Sequence, residues 1–151
     1  MKKTLKSILC KGAMTAVGIA MLFTVNSYAQ YSDQVKGQLD IIKTYLSDEA
    51  DVTKTHSYLI DRIGEGEKDS ATLTLRRGWT YMLVGVCDND CTDVDIKVYD
   101  EDGDQVAADS DLSDVSAVTV EPRFTGEYRV QIEMYKCSID PCYYGVGVFG
   151  K

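Results

Sequence analysis

Histidine is almost absent from this 151-residue chain, in which His56 is the only one. A zinc hydrolase site built on histidines is thereby excluded. No G-x-S-x-G, H-E-x-x-H, P-loop or dinucleotide fingerprint occurs either, and an isolated His56 reads as a packed or surface residue, not as a catalytic base. A membrane-spanning stretch is also missing: the apolar run Ala13 to Val25 falls short of the roughly 20 residues needed to cross a bilayer. Basic charge is scarce where acid is dense. Between Asp88 and Asp114 there are eleven acidic residues and only Lys97 against them, which argues against nucleic acid and anionic lipid as partners, since both need a basic surface. The ordinary reading of such a run is a solvated face.

The N-terminus reads as an export signal. Lys2, Lys3 and Lys6 precede the apolar run, and Ser27-Tyr28-Ala29 supplies small residues where a signal peptidase cuts. Cys10 lies before that run and follows Leu9, which argues against a lipid anchor. Cleavage after residue 29 leaves 122 residues, one domain's worth. It removes four lysines and no acid, so the formal charge moves from −8 to −12. The expected location is periplasmic or secreted, with no membrane span after cleavage. Four cysteines remain, and an even count in a small exported domain favours two disulfides. Three pairings are open. Cys87 with Cys91 and Cys137 with Cys142 is favoured because each pair sits in one short loop, and a four-thiolate zinc site is the competitor.

From Ser32 to about Glu49, Val35, Leu39, Ile42 and Leu46 recur at helical spacing, with Ile41 and Tyr45 widening the stripe and Ser32 or Asp33 as N-cap. After a polar hinge at Asp51 to Lys54 the period changes to 2. Strands are expected over His56 to Ile63, Ser70 to Leu75, Trp79 to Val86, and through Val94, Ile96 and Val98, where Asp93, Asp95 and Lys97 form the opposite, acidic face. An Asp100 to Asp104 turn with Gly103 follows. Shorter strands hold Val106 with Ala108 and Val118 with Val120; Tyr128 to Met134 and Tyr143 to Phe149 complete the set. The fold class is therefore mainly β: an antiparallel β-sandwich of about seven to eight strands with one N-terminal amphipathic helix. The organisation is a signal at 1–29, helix and hinge at 30–54, and a sandwich at 55–151.

Three segments carry a likeness to a known family. Gly78-Trp79-Thr80-Tyr81, Asp93-Val94-Asp95-Ile96-Lys97-Val98-Tyr99-Asp100 with Gly103, and Gly126-Glu127-Tyr128-Arg129-Val130 follow one another in an order and spacing that resembles the bacterial pre-peptidase C-terminal domain. The resemblance covers about His56 to Gly150. It implies a β-sandwich module of the kind found beside secreted proteases, and its collagen-binding relatives bind calcium. The two cysteine pairs and the N-terminal helix lie outside that pattern.

Asp88, Asp90, Asp93 and Asp95, with Asn89, place hard oxygen ligands within eight residues. They are the candidate metal ligands, for Ca2+, which takes six to eight oxygens. The competing reading is a solvated loop whose aspartates cap turns. Asp100-Glu101-Asp102-Gly103-Asp104 is adequately explained as a turn. Asp93 and Asp95, two apart on one strand, lie side by side, whereas glycosidase carboxylates face each other across a sugar. Trp79, Tyr81, Tyr135, Tyr143, Tyr144 and Phe149 could form a binding platform or pack in the core. The expectation is a non-catalytic exported binding or accessory module, with a protein or carbohydrate as partner. The alternative is a structural envelope protein that associates through its helix.

Overall fold

The computed structural model describes residues 27–151. The expected export signal, with Cys10, lies outside the described residues except for its last three positions. The order of elements is α1 (Ser27–Ala50), β1 (Thr53–Lys54), β2 (Leu59–Ile63), β3 (Lys68–Leu75), β4 (Tyr81–Cys87), β5 (Cys91–Tyr99), β6 (Gln105–Asp109), β7 (Val115–Val120), β8 (Gly126–Cys137) and β9 (Cys142–Gly150). All strand pairs are antiparallel, in two sheets. The first runs β1-β9-β4-β7, with β2 continuing the line of β1 along β9, and the second runs β3-β8-β5-β6.

The strands form where apolar residues recur every second position, because that spacing puts them on one face of a pleated sheet. Leu73 and Leu75, Val94, Ile96 and Val98, Tyr128 to Met134, and Tyr144, Val146 and Val148 alternate in this way, and all are buried in the core between the sheets. Gly103 turns the β5–β6 hairpin with φ at 86°, a conformation that costs glycine nothing. The ninth strand, β1, falls inside the expected hinge. Two residues carry no period to read, and Thr53 and Lys54 are recognisable only from their partners Gly150 and Phe149. The expected strand from His56 starts instead at Leu59.

A second apolar cluster lies on the outer face of the first sheet, where Val35, Leu39 and Leu46 of α1 pack on Val84, Val86 and Phe149. The molecule thus has three layers. Two glycines of β9 make the close approach possible: a Cβ on Gly145 would stand 2.4 Å from Val35 Cγ1 and 3.0 Å from Leu39 Cδ1, and one on Gly147 would meet the Phe149 ring. Tyr58 also ties the helix down, its hydroxyl lying 3.2 Å from Leu39 O and 3.0 Å from Asp40 Oδ1. Burial and the Asp40 carboxylate raise the Tyr58 pKa to about 12. After Ala50 the chain leaves the helix through Asp51 in a left-handed conformation (φ 52°), and Val52 N–H bonds back to Leu46 O.

Two expectations about α1 need correction. Ile41 and Tyr45 do not widen the buried stripe; they are 72% and 66% exposed. At 100° per residue, Ile41 sits 200° round the helix from Leu39 and Tyr45 a further 40°, so both face away from the sheet. Neither Ser32 nor Asp33 is the N-cap. The helix begins before both, and the Ser32 hydroxyl donates to Ala29 O at 3.1 Å.

Candidate functional site

At one end of the sandwich the β4–β5 and β8–β9 turns lie together, since Cys91 and Cys137 are register partners. Cys87 is joined to Cys91 and Cys137 to Cys142, each with Cα atoms 5.9 Å apart. The favoured pairing is the one found, and all four sulfurs are used in it. Asp88 is buried in this end. Its Oδ2 accepts from Tyr143 N–H at 2.8 Å and its Oδ1 from Asp90 N–H at 3.1 Å, so it caps the turn. Burial raises its pKa, against the opposing effect of those N–H donors. Asp90 O accepts both the backbone N–H and the hydroxyl of Ser138, each at 2.7 Å. Asp88 and Asp90 thus knit two turns together, facing Tyr31 and Tyr143, whose rings stack at 5.9 Å.

Asp93 and Asp95 lie elsewhere. Both project from the outer face of the second sheet, as the alternation with Val94 and Ile96 demands, yet each is only 5% exposed. Their cover comes from two sources. A register irregularity at Asp93/Val94 releases Val94 N–H from β8, and it bonds to Ser113 O at 2.9 Å instead, drawing the β6–β7 loop over the sheet. From the other side Glu133 and Tyr135 of β8 rise beside them. The result is a cleft of about 400 Å³ with Asp93, Asp95, Lys97 and Glu133 inside and Leu112 and Tyr135 exposed at its mouth.

The charges in this cleft do not balance. Asp95 stands directly opposite Glu133 in the register, a like-charge pair that is unfavourable across strands. Glu133 takes both local lysines, Lys97 at 3.1 Å and Lys68 at 3.3 Å. Those lysines hold the Glu133 carboxyl below its usual range even though burial pushes it up. Asp95 is left with a raised pKa, first because it is buried and second because Asp93 is beside it. Asp93 Oδ1 is buried and has no hydrogen-bond partner. The quartet proposed from sequence is thus divided into a turn-capping pair and a cleft pair, and among the described residues no group of three or more His, Cys, Asp or Glu is gathered as a metal site. The calcium expectation therefore rests on Asp93 and Asp95. Sequence reasoning missed Lys68, Ser110, Leu112, Glu133 and Tyr135 as their neighbours, although the outward alternation of Glu133 in β8 was a signal for one of them.

The remaining candidates are placed as follows. In the Asp100 to Asp104 cluster, Asp100 Oδ1 accepts from the N–H groups of Asp102 and Asp104, which accounts for it as a turn. His56 is held on both ring nitrogens, Nδ1 at 2.8 Å from Thr55 Oγ1 and Nε2 at 3.1 Å from Thr74 O. Of the aromatics, Tyr81, Tyr144 and Phe149 are buried, Tyr143 is half-buried under α1, and Trp79 and Tyr135 reach solvent. Tyr144 sends its hydroxyl to Asp69 Oδ2, and burial together with that carboxylate raises its pKa far above the usual phenol range. Among the described residues no helix is long and apolar enough to cross a membrane.

No protein-family model matches the chain, and no curated protein matches it.

Proposed function

We propose that this is a non-catalytic, exported β-sandwich binding module of the pre-peptidase C-terminal domain type, which engages a cation at Asp93 and Asp95 on the outer face of its second sheet. The observation that carries the reading is Asp93 Oδ1, a buried carboxylate oxygen without a donor, on a residue that lines an open cleft. Leaving such an atom unsatisfied costs about 1–3 kcal/mol or more when it is charged. A bound cation removes that cost. The three segments that resemble the family open β4, form β5 with its turn, and open β8, which is consistent with the assignment. Two disulfides accord with an oxidising compartment outside the cytoplasm. The helix-association alternative is less favoured, because the Val35–Leu39–Leu46 stripe is already covered by the sheet.

Thermal unfolding tests the proposal. Wild-type protein and the Asp93→Asn/Asp95→Asn double variant are melted with calcium chloride and, in parallel, with Nα-acetylarginine amide. A cation bound only by the native state raises Tm by mass action, by about 2.7 kcal/mol of stability at a hundredfold excess over Kd. The expected result is a rise in wild type with one of the two cations and none in the variant; which one acts identifies the class. No rise with either overturns the proposal.

A further inference from the structure

A second cleft, of about 430 Å³, opens at the edge where β1 of the first sheet approaches β3 of the second. Its chemistry is the reverse of the acidic cleft. None of its eight lining residues is Asp or Glu, while Lys54, His56 and Arg76 are among them, in a chain with 24 acidic and 16 basic residues. Lys54 Nζ sits 4.4 Å from the centre of the Tyr58 ring. Arg76 makes no ion pair among the described residues. An unpaired guanidinium in so acidic a molecule is free to take an anion, and its fork matches a carboxylate.

Beside it stands Trp79, 36% exposed, stacked on Tyr81 with ring centroids 6.0 Å apart and planes 20° from parallel. Tyr81 is itself locked: it is buried, its hydroxyl accepts from Arg76 N–H at 3.1 Å, and the His56 ring meets it edge-on. His56 in turn bridges the two sheets, through Thr55, whose backbone N–H donates to Val148 O in one, and directly to Thr74 O in the other. The indole is therefore a platform on a rigid support, with a free cation at its side. Aromatic faces of this kind hold the apolar face of a ring-shaped ligand.

We propose that this cleft is a binding site for an acidic sugar, with the pyranose ring against Trp79 and the uronate carboxylate on Arg76. It is independent of the Asp93–Asp95 cleft and stands if that reading fails. Trp79 is the only tryptophan in the chain, so its fluorescence reports on this site alone.

The purified protein is titrated with trigalacturonate, and with the methyl-esterified trisaccharide as the neutral counterpart. Saturable quenching or shift of the emission by the acid is expected, at least tenfold weaker for the ester. Arg76→Gln should remove the preference for the acid while leaving far-UV circular dichroism and Tm unchanged, since it is the Arg76 backbone, not its side chain, that bonds to Tyr81. Equal affinity for acid and ester, an unaltered preference in Arg76→Gln, or no change in emission with either sugar would each overturn the proposal.

Discussion

The outer faces of the two sheets have opposite fates. On the first sheet the outward positions are Val84, Val86 and Phe149 with Gly145 and Gly147 between them, a surface that is apolar and, at the glycines, flat. On the second they are Asp93, Asp95, Lys97 and Tyr99 of β5 beside Arg129, Gln131 and Glu133 of β8, with Arg129 lying 4.0 Å over the Tyr99 ring. Both sheets have an equivalent inner face, so the core does not distinguish them. Water can remain on a charged face but not, at acceptable cost, on a broad apolar one. The helix therefore covers the first sheet, and the second, apart from the β6–β7 loop over Asp93 and Asp95, is left to meet solvent and whatever binds from it.

Three substitutions sharpen that contrast. The largest effect belongs to Leu39→Ala, which removes a fully buried side chain between helix and sheet; urea unfolding should show a loss of about 2–5 kcal/mol. Next is Gly145→Ala. The added methyl meets Val35 Cγ1, a branched group with no room to swing, so the helix must lift, at about 1–3 kcal/mol. If Gly145→Ala instead stabilises the protein, the helix does not sit as closely as described.

The smallest effect is expected on the charged face and has the opposite sign. Asp95 carries a raised pKa in the folded protein, so it favours folding while protonated and loses that contribution as pH rises through its folded pKa. Asp95→Asn should therefore be more stable than wild type at neutral pH, by about 0.2–1 kcal/mol, as a buried charge and its repulsion from Asp93 and, across the strands, from Glu133 are removed. The gain should shrink toward zero as pH falls through the carboxylate range. Stability curves at several pH values check this, and a gain that grows in acid would refute the placement of Asp95 opposite Glu133.

The sandwich was legible because period 2 is a local property: Val94, Ile96 and Val98 announce their face without reference to any other strand. The disulfides were legible because each pair spans one short turn. What was not legible depended on distant segments. Nothing near Asp93 tells that the loop carrying Ser110 and Leu112 will fold over it, so a position expected on an open acidic face is buried. Likewise the aspartates from 88 to 95 are close along the chain, but Asp88 points into the turn toward Tyr143 while Asp93 and Asp95 stand on the sheet. Proximity in sequence did not become convergence in space. The Trp79 platform was visible as a pair with Tyr81, and Arg76 lies only three residues before it, but Lys54 and His56 come from β1 and the segment after it, out of reach of any local pattern.

The seating of α1 on Gly145 and Gly147 also has a consequence in time. About 110 residues separate Val35 from Gly145, so the first described element of the chain packs on the last strand. As the polypeptide emerges, the helix exists long before its seat does, and its apolar stripe must wait uncovered until β9 has been delivered and zipped between β4 and β2. Loss of β9 would thus take away both the seat of the helix and the strand that joins β4 to β1 and β2.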